Sequence, residues 1–259
     1  MNAASWLPEP GHESLTTRLR LVCCAHAGGD PVAFSAWAKA LPRAVSLCPL
    51  RRPGRDPRSA HAALADVHII AHQAVEALAT LATRPSALFG HSLGAVIAFE
   101  IARLLEARGL PPRLLIVSGR EAPQVSLGRP PIADLPDARF IAELDARYGG
   151  VPAEVRDSPE LLARLLPSLR ADLRAAERYH HRPGPALRCP LIVCQGRQDT
   201  SVDPSKLDGW RELSLGSFER VDFPGGHFFP FEPASGFSTW LGEELRVRLG
   251  GSRRDGATK

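Results

Sequence analysis

The apolar stretch "SALFG" runs into Gly90-His91-Ser92-Leu93-Gly94, and helix-forming residues follow at once. This junction constrains the fold more than any other part of the chain. A short apolar run bounded by glycine reads as a strand buried on both faces. The pattern from Val96 to Arg108 is helical, and Gly109 is placed to close it. A buried strand that feeds directly into a helix belongs in a parallel sheet covered by helices.

The rest of the chain repeats this unit. "LRLVCCA", "AVSLCPL", "RLLIVSG" and "PLIVCQG" read as further strands, and "FERVDF" as a shorter last one. "VAFSAWAKAL" reads as a helix. A longer helix is expected over about 65–82, where Val67, Ile70, Ala74, Leu78 and Leu81 share one face. "FSTWLGEELRVRL" closes the order as a helix. The pattern predicts an α/β fold, with a mostly parallel central sheet and helices on both faces. One interval breaks the rhythm, from Arg120 to Arg188, far longer than an ordinary crossover. It holds two helical patterns, "DARFIAELDARYG" and "PELLARLLPSLRADLRAAERY". The reading is a single domain over 1–259 with a helical lid insertion at about 121–187. The Gly-rich, polar tail, about 250–259, is expected to be disordered.

Composition excludes several classes. The net charge is +4, and almost all of the positive charge is arginine, since Lys39, Lys206 and Lys259 are the only lysines. These residues are interleaved with acids, which speaks against a nucleic-acid groove. The start lacks a basic and then apolar leader, and no apolar run approaches a membrane span. The five cysteines, Cys23, Cys24, Cys48, Cys189 and Cys194, lie in or beside strand-like stretches without CxxC spacing. They read as reduced core residues of a cytoplasmic protein rather than as disulfides or metal ligands.

The chemistry starts at Ser92. A G-x-S-x-G pentapeptide alone is common. Set between a buried strand and a helix, it is the nucleophile elbow of the α/β-hydrolase fold. That fold orders its catalytic residues as Ser, acid, His. His227, in "FPGGHFF", lies on a Gly-rich loop after the last strand, where a general base belongs. The other histidines fit worse. His26 and His91 adjoin the elbow elements; His61, His68, His72, His180 and His181 fall in helix or lid positions; His12 is in the N-terminal segment. Asp199, in "CQGRQDTSV", follows a buried strand and suits the acid, with Asp203 and Glu121 as alternatives. An oxyanion hole needs two backbone N–H donors. Leu93, after the nucleophile, is one. Ala27, in the small-residue loop His26-Ala27-Gly28-Gly29, is the other.

In these stretches the chain resembles the stand-alone type II thioesterases of polyketide and non-ribosomal peptide synthesis. "AHAGGDPVAF", "PGR" at Pro53–Arg55, "GHSLGA", "LPSLRADLRAAERY", "CPLIVCQGRQD", Trp210 and "FPGGHFF" match the family's landmarks in order over nearly the whole chain. Cys24-Ala25, Asp30 and Leu93 depart from its usual residues, which bears on substrate preference rather than on the reaction. The resemblance implies hydrolysis of acyl groups from the phosphopantetheine arm of an acyl or peptidyl carrier protein, a transient partner. It implies catalytic Ser92, Asp199 and His227, oxyanion donors Ala27 and Leu93, no metal, no cofactor and a monomer. Alternatives are an esterase or lipase acting on free small-molecule esters, a chain-releasing thioesterase domain, and a non-catalytic binding protein on the same fold.

Overall fold

The structure is a computed structural model that describes residues 6, 7, 15–55, 62–79, 84–126, 128–149, 151 and 156–250. Among these residues six strands form one sheet: β1 (Leu19–Cys24), β2 (Val45–Pro49), β3 (Ser86–His91), β4 (Leu114–Ser118), β5 (Leu191–Gly196) and β6 (Phe218–Phe223). Their order is β2-β1-β3-β4-β5-β6, and every neighbouring pair is parallel. Parallel strands need crossovers: α1 (Val67–Ala79) lies between β2 and β3, α2 (Leu93–Ala107) between β3 and β4, and α3 (Asp137–Tyr148) and α4 (Pro159–Glu177) between β4 and β5, while α5 (Phe237–Arg248) follows the last strand.

The four central strands β1, β3, β4 and β5 are almost wholly buried because both faces are covered, whereas the edge strands β2 and β6 are partly exposed. In β1, Val22 and Cys24 point into one core with α1 and α2, while Leu19, Leu21 and Cys23 point into another with Phe34, Trp37 and α5. Burial makes the thiols inert. It pushes Cys24 and Cys189 up to about 12. All five cysteines are free and buried, as their placement in strand-like stretches suggests.

One element differs from the sequence reading. Pro31–Lys39 is a 3-10 helix rather than an α-helix. Asp30 caps it by accepting the Val32 N–H at 2.8 Å, Pro31 starts it, and buried Phe34 and Trp37 fall three apart, where 3-10 winding aligns side chains. Helix α2 begins at Leu93, directly after Ser92. Helix α1 is described over Val67–Ala79, and its expected end lies outside the described residues, as does the tail beyond Gly250.

The interval between β4 and β5 contains α3 and α4, which build a small core of their own from Ile132, Phe140, Leu144, Leu166, Leu169 and Leu173. Glu177 accepts the N–H groups of Ile132 and Ala133 at 2.7 and 3.2 Å. Arg170 lies 4.2 Å over the Phe140 ring and pairs with Asp137.

Two glycines show where close packing rather than turn geometry matters. A Cβ on Gly94 would lie 1.9 Å from the Cys24 carbonyl oxygen, whereas one on Gly109 meets open space at φ 73°. Gly109→Ala is therefore expected to cost only the left-handed strain, about 1–2 kcal/mol. Gly94→Ala must move α2 off β1 and is expected to exceed the roughly 1–3 kcal/mol usual for overpacking. Urea unfolding of both variants checks this. Equal losses would show that the approach of α2 to β1 does not depend on the missing side chain.

Candidate active site

Ser92 follows the C-terminal end of β3. It is the only non-glycine residue with positive φ among the described residues, at φ 56° and ψ −115°. The flanking glycines allow the turn. A Cβ on Gly90 would sit 2.1 Å from the Gly94 carbonyl oxygen. The Ser92 N–H is bound to the Ser118 carbonyl at 2.9 Å, which anchors the turn to β4.

His227 follows β6, and its side chain is 4% exposed. Its Nδ1 lies 2.9 Å from Asp199 Oδ2, on the loop after β5. Ser201 completes the arrangement. Its hydroxyl donates to Asp199 Oδ1 at 2.6 Å and lies 2.9 Å from His227 Nδ1, while its N–H also donates to Asp199 Oδ1. Burial opposes ionisation of Asp199, but the hydrogen bond and charge of His227, with the two bonds from Ser201, outweigh it. The carboxyl is held below its usual range.

The alternative acids lie elsewhere. Asp203 accepts from the N–H and hydroxyl of Ser205, and Glu121 accepts from the Asp203 N–H and pairs with Arg129. Of the three carboxylates considered, Asp199 is the one hydrogen-bonded to His227.

The expected oxyanion donors have distinctive surroundings. Their neighbours are committed: the N–H of Gly28 donates to Asp172 at 2.8 Å, that of Gly29 to the His26 carbonyl, and that of Ser92 to Ser118. The amides of Ala27 and Leu93 have no hydrogen-bond partner among the described residues. Leu93 is also the first residue of α2, so the positive end of the helix dipole lies at the same place.

Ser92, His227, Ala27 and Leu93 line one cavity of about 70 Å³. Leu144 and Tyr148 of α3 and Leu169, Leu173 and Ala176 of α4 close it, so the insert lies over Ser92. The Tyr148 ring is 5.0 Å from that of His227. Other apolar side chains of the insert lie away from this cavity. Phe140 and Leu166 are buried in the insert's own core, and Leu161 is exposed. A larger cleft, about 730 Å³, lies at the opposite ends of the strands among Arg20, Arg84, Arg113 and Arg188, but it contains none of the expected site residues. No three metal-ligating side chains converge among the described residues, and none of their helices is long and apolar enough to cross a membrane.

Residues 19–239 match the family model described as a thioesterase domain. The chain belongs to the thioesterase family. It is 34% identical over 233 residues to the gramicidin S biosynthesis protein GrsT of Aneurinibacillus migulanus, covering 90% of this chain and 91% of that one. It is 38% identical over 225 residues to the thioesterase PikA5 of Streptomyces venezuelae, covering 84% and 78%. Among solved structures it is similar to the type II thioesterase BorB from the borrelidin biosynthetic cluster, at 35% identity and a TM-score of 0.82 over 95% of this chain and 100% of that one.

Sequence reasoning missed Ser201, Asp172, Arg52 and Tyr148. Asp172 lies within the "LRAD" landmark and Arg52 just before "PGR", so both stretches carried a signal but no role. Ser201, two residues after Asp199, had the spacing of a side-chain-capped turn.

Two other histidines near Ser92 set an acid limit. Burial first, then the charges of His227 and His26, lower His91 well below 6.5; burial chiefly lowers His26 to about 4. The unfolded chain takes up these protons below about 6.5 while the folded chain does not, so stability is full above that pH and lost as pH falls. For His26 the loss runs from about 6.5 down to about 4, at up to about 1.4 kcal/mol per pH unit. Asp199 has a depressed value, so its contribution persists to lower pH and is lost below the usual carboxylate range. Urea midpoints measured from pH 7.5 to 4 are expected to fall below 6.5, and less steeply in His26→Asn. An unchanged slope in that variant would assign the limit to other groups.

Proposed function

We propose that this chain is a serine thioesterase that removes acyl groups from the phosphopantetheine arm of a carrier protein. It would clear stalled or misprimed units from a polyketide or non-ribosomal peptide synthase. The observation that carries the reading is the shared cavity: an elbow serine, a carboxylate-paired histidine and two unpartnered amides open onto one apolar chamber, in a chain of the thioesterase family.

The proposed steps assign a role to each of these groups. Asp199 holds the Nδ1–H tautomer of His227, which leaves Nε2 as the base. Nε2 takes the Ser92 hydroxyl proton as Oγ attacks the thioester carbonyl carbon. The Ala27 and Leu93 amides receive the oxyanion. The C–S bond breaks, and His227 returns the proton to the departing thiol. Water then gives a proton to His227 and its oxygen to the acyl carbon, which regenerates Ser92 and releases the acid. None of these steps calls for a metal or cofactor. The enzyme acts as a cytoplasmic monomer that meets its carrier transiently.

A cleft of about 600 Å³ shares Arg120, Tyr148 and Ala176 with the cavity and is also lined by Arg129 and Arg147. This supports approach of the arm, and of an acidic carrier, from that side. The chamber is small, so short acyl groups fit beneath α3 and α4 as they stand, and longer ones require the insert to shift.

Ser92→Ala and His227→Ala are expected to abolish turnover to similar extents, since nucleophile and base act as a unit. Asp199→Asn is expected to lose roughly 10³–10⁴-fold, while Asp203→Asn and Glu121→Gln stay near wild type. Steady-state rates on acyl-carrier substrates check this, and near-normal Asp199→Asn activity would overturn the acid assignment. Turnover on p-nitrophenyl esters that exceeds turnover on carrier thioesters would favour a small-molecule esterase. No labelling of Ser92 by a fluorophosphonate would favour a non-catalytic role.

Two further outcomes test the partner and the chamber. Activity on carrier-bound acyl groups is expected to fall with added salt more steeply than activity on a small thioester. Equal slopes would remove charge from carrier recognition. Leu144→Trp and Leu169→Trp are expected to shift preference toward acetyl-sized chains in a chain-length series, and a uniform loss would place length selection elsewhere.

A further inference from the structure

Leu169, Asp172, Leu173 and Ala176 occupy one face of α4, at the i, i+3, i+4 and i+7 spacing that aligns side chains along a helix. Leu169, Leu173 and Ala176 line the cavity above Ser92. Asp172, between them, is a carboxylate only 2% exposed. One oxygen, Oδ2, accepts from three donors far from it in sequence: the Gly28 N–H at 2.8 Å, Arg52 at 3.1 Å, and Arg55.

Arg52 extends the connection. It donates to the carbonyls of Ala25 and His26, each at 2.8 Å, and of Gly29 at 3.3 Å. The His26 carbonyl matters most. It belongs to the same peptide unit as the Ala27 N–H, and in a planar trans peptide the two point in opposite directions. Fixing the His26 oxygen therefore fixes where the Ala27 N–H points. Gly28, held by the same carboxylate, fixes the next peptide unit.

A buried carboxylate costs stability unless charges and hydrogen bonds satisfy it, and apolar packing of α4 would not require one. We infer that Asp172 is a positioning residue: through Arg52 and Gly28 it aims the Ala27 N–H, so that the oxyanion hole is complete only while the lid helix α4 is seated. The inference rests on the hydrolase reading above. Its consequence is that α4 both senses the acyl group, through Leu169 and Leu173, and holds the loop that stabilises the transition state. An acyl group that lifts α4 withdraws the Gly28 acceptor and frees the loop. The oxyanion exists only in the transition state, so the loss appears in kcat rather than in substrate binding.

The test compares wild type with Asp172→Asn, Asp172→Ala and Arg52→Lys. The readouts are kcat and KM on an acyl-carrier substrate, affinity for an alkyl boronic acid that forms a tetrahedral adduct with Ser92, and thermal unfolding. Folded variants are expected to lose kcat and boronate affinity in parallel, by roughly 10²-fold, as when one oxyanion donor is lost. KM is expected to change by no more than about threefold. If Asp172→Ala does not fold, the isosteric Asp172→Asn and Arg52→Lys still give the comparison. Variants that unfold at lower temperature but keep kcat and boronate affinity within about threefold per folded molecule would overturn the inference. A wild type inert to carrier thioesters and unlabelled by a fluorophosphonate would overturn the hydrolase reading, and the inference with it.

Discussion

The site depends on how closely α2 is pressed against β1. Gly94 brings its backbone against the Cys24 carbonyl, and Gly90 brings β3 against Gly94. The chain between them has little room to turn, and Ser92 takes the left-handed conformation that results. For an L-residue this costs about 1–2 kcal/mol. The bond from Ser92 to Ser118 and the burial of nearly the whole first two turns of α2 offset it. The same crowding brings the first amide of α2 next to the loop leaving β1, so both unpartnered amides reach one cavity.

Burial sorts the imidazoles there. The His91 ring centroid lies 6.0 Å from that of His26 and 4.9 Å from that of His227. Three rings so close cannot all carry charge cheaply. His26 and His91 are kept neutral by burial, and among the three only His227 has a carboxylate partner. His91 remains a packing residue: its Nδ1 lies 2.7 Å from the Ser118 hydroxyl, and its Nε2 is buried without a hydrogen bond.

Much of this was legible in the sequence, and the remainder has an identifiable cause. Strands buried on both faces leave continuous apolar runs, which marked β1, β3, β4 and β5, whereas the edge strand β6 is largely exposed and carried a weaker signal. Ser92, Asp199 and His227 stood out because each follows a strand on a turn, where apolar patterning stops. The start of α2 at Leu93 was legible from the elbow itself, since the pentapeptide places a helix directly after the serine. The 3-10 form of Pro31–Lys39 follows from packing around Phe34 and Trp37, which local propensity does not encode. Asp172 was invisible as a functional group because its partners, Gly28, Arg52 and Arg55, lie more than a hundred residues away. Spacing cannot reveal a contact that only the tertiary fold creates.

Helix α4 bridges two cores. Ala175 and Ala176 belong to the main core with α2, whereas Leu166, Leu169 and Leu173 belong to the small core of the insert. Just past its end, Tyr179 donates to Glu100 of α2 at 2.7 Å, and Arg120 donates to the Ala176 carbonyl. The C-terminal turn is thus fixed to the sheet-bearing domain, and the N-terminal half packs with α3 in the insert's own core. A rigid helix held at one end pivots there, and displacement grows with distance from the pivot. Asp172 lies about one turn from the anchored end and Leu169 about two. A modest lift of the insert therefore enlarges the chamber at Leu169 first, and only a larger one draws the carboxylate away from Gly28 and Arg52. On the proposed function, the chamber then adjusts to small differences in acyl size while the loop at Ala27 stays in place.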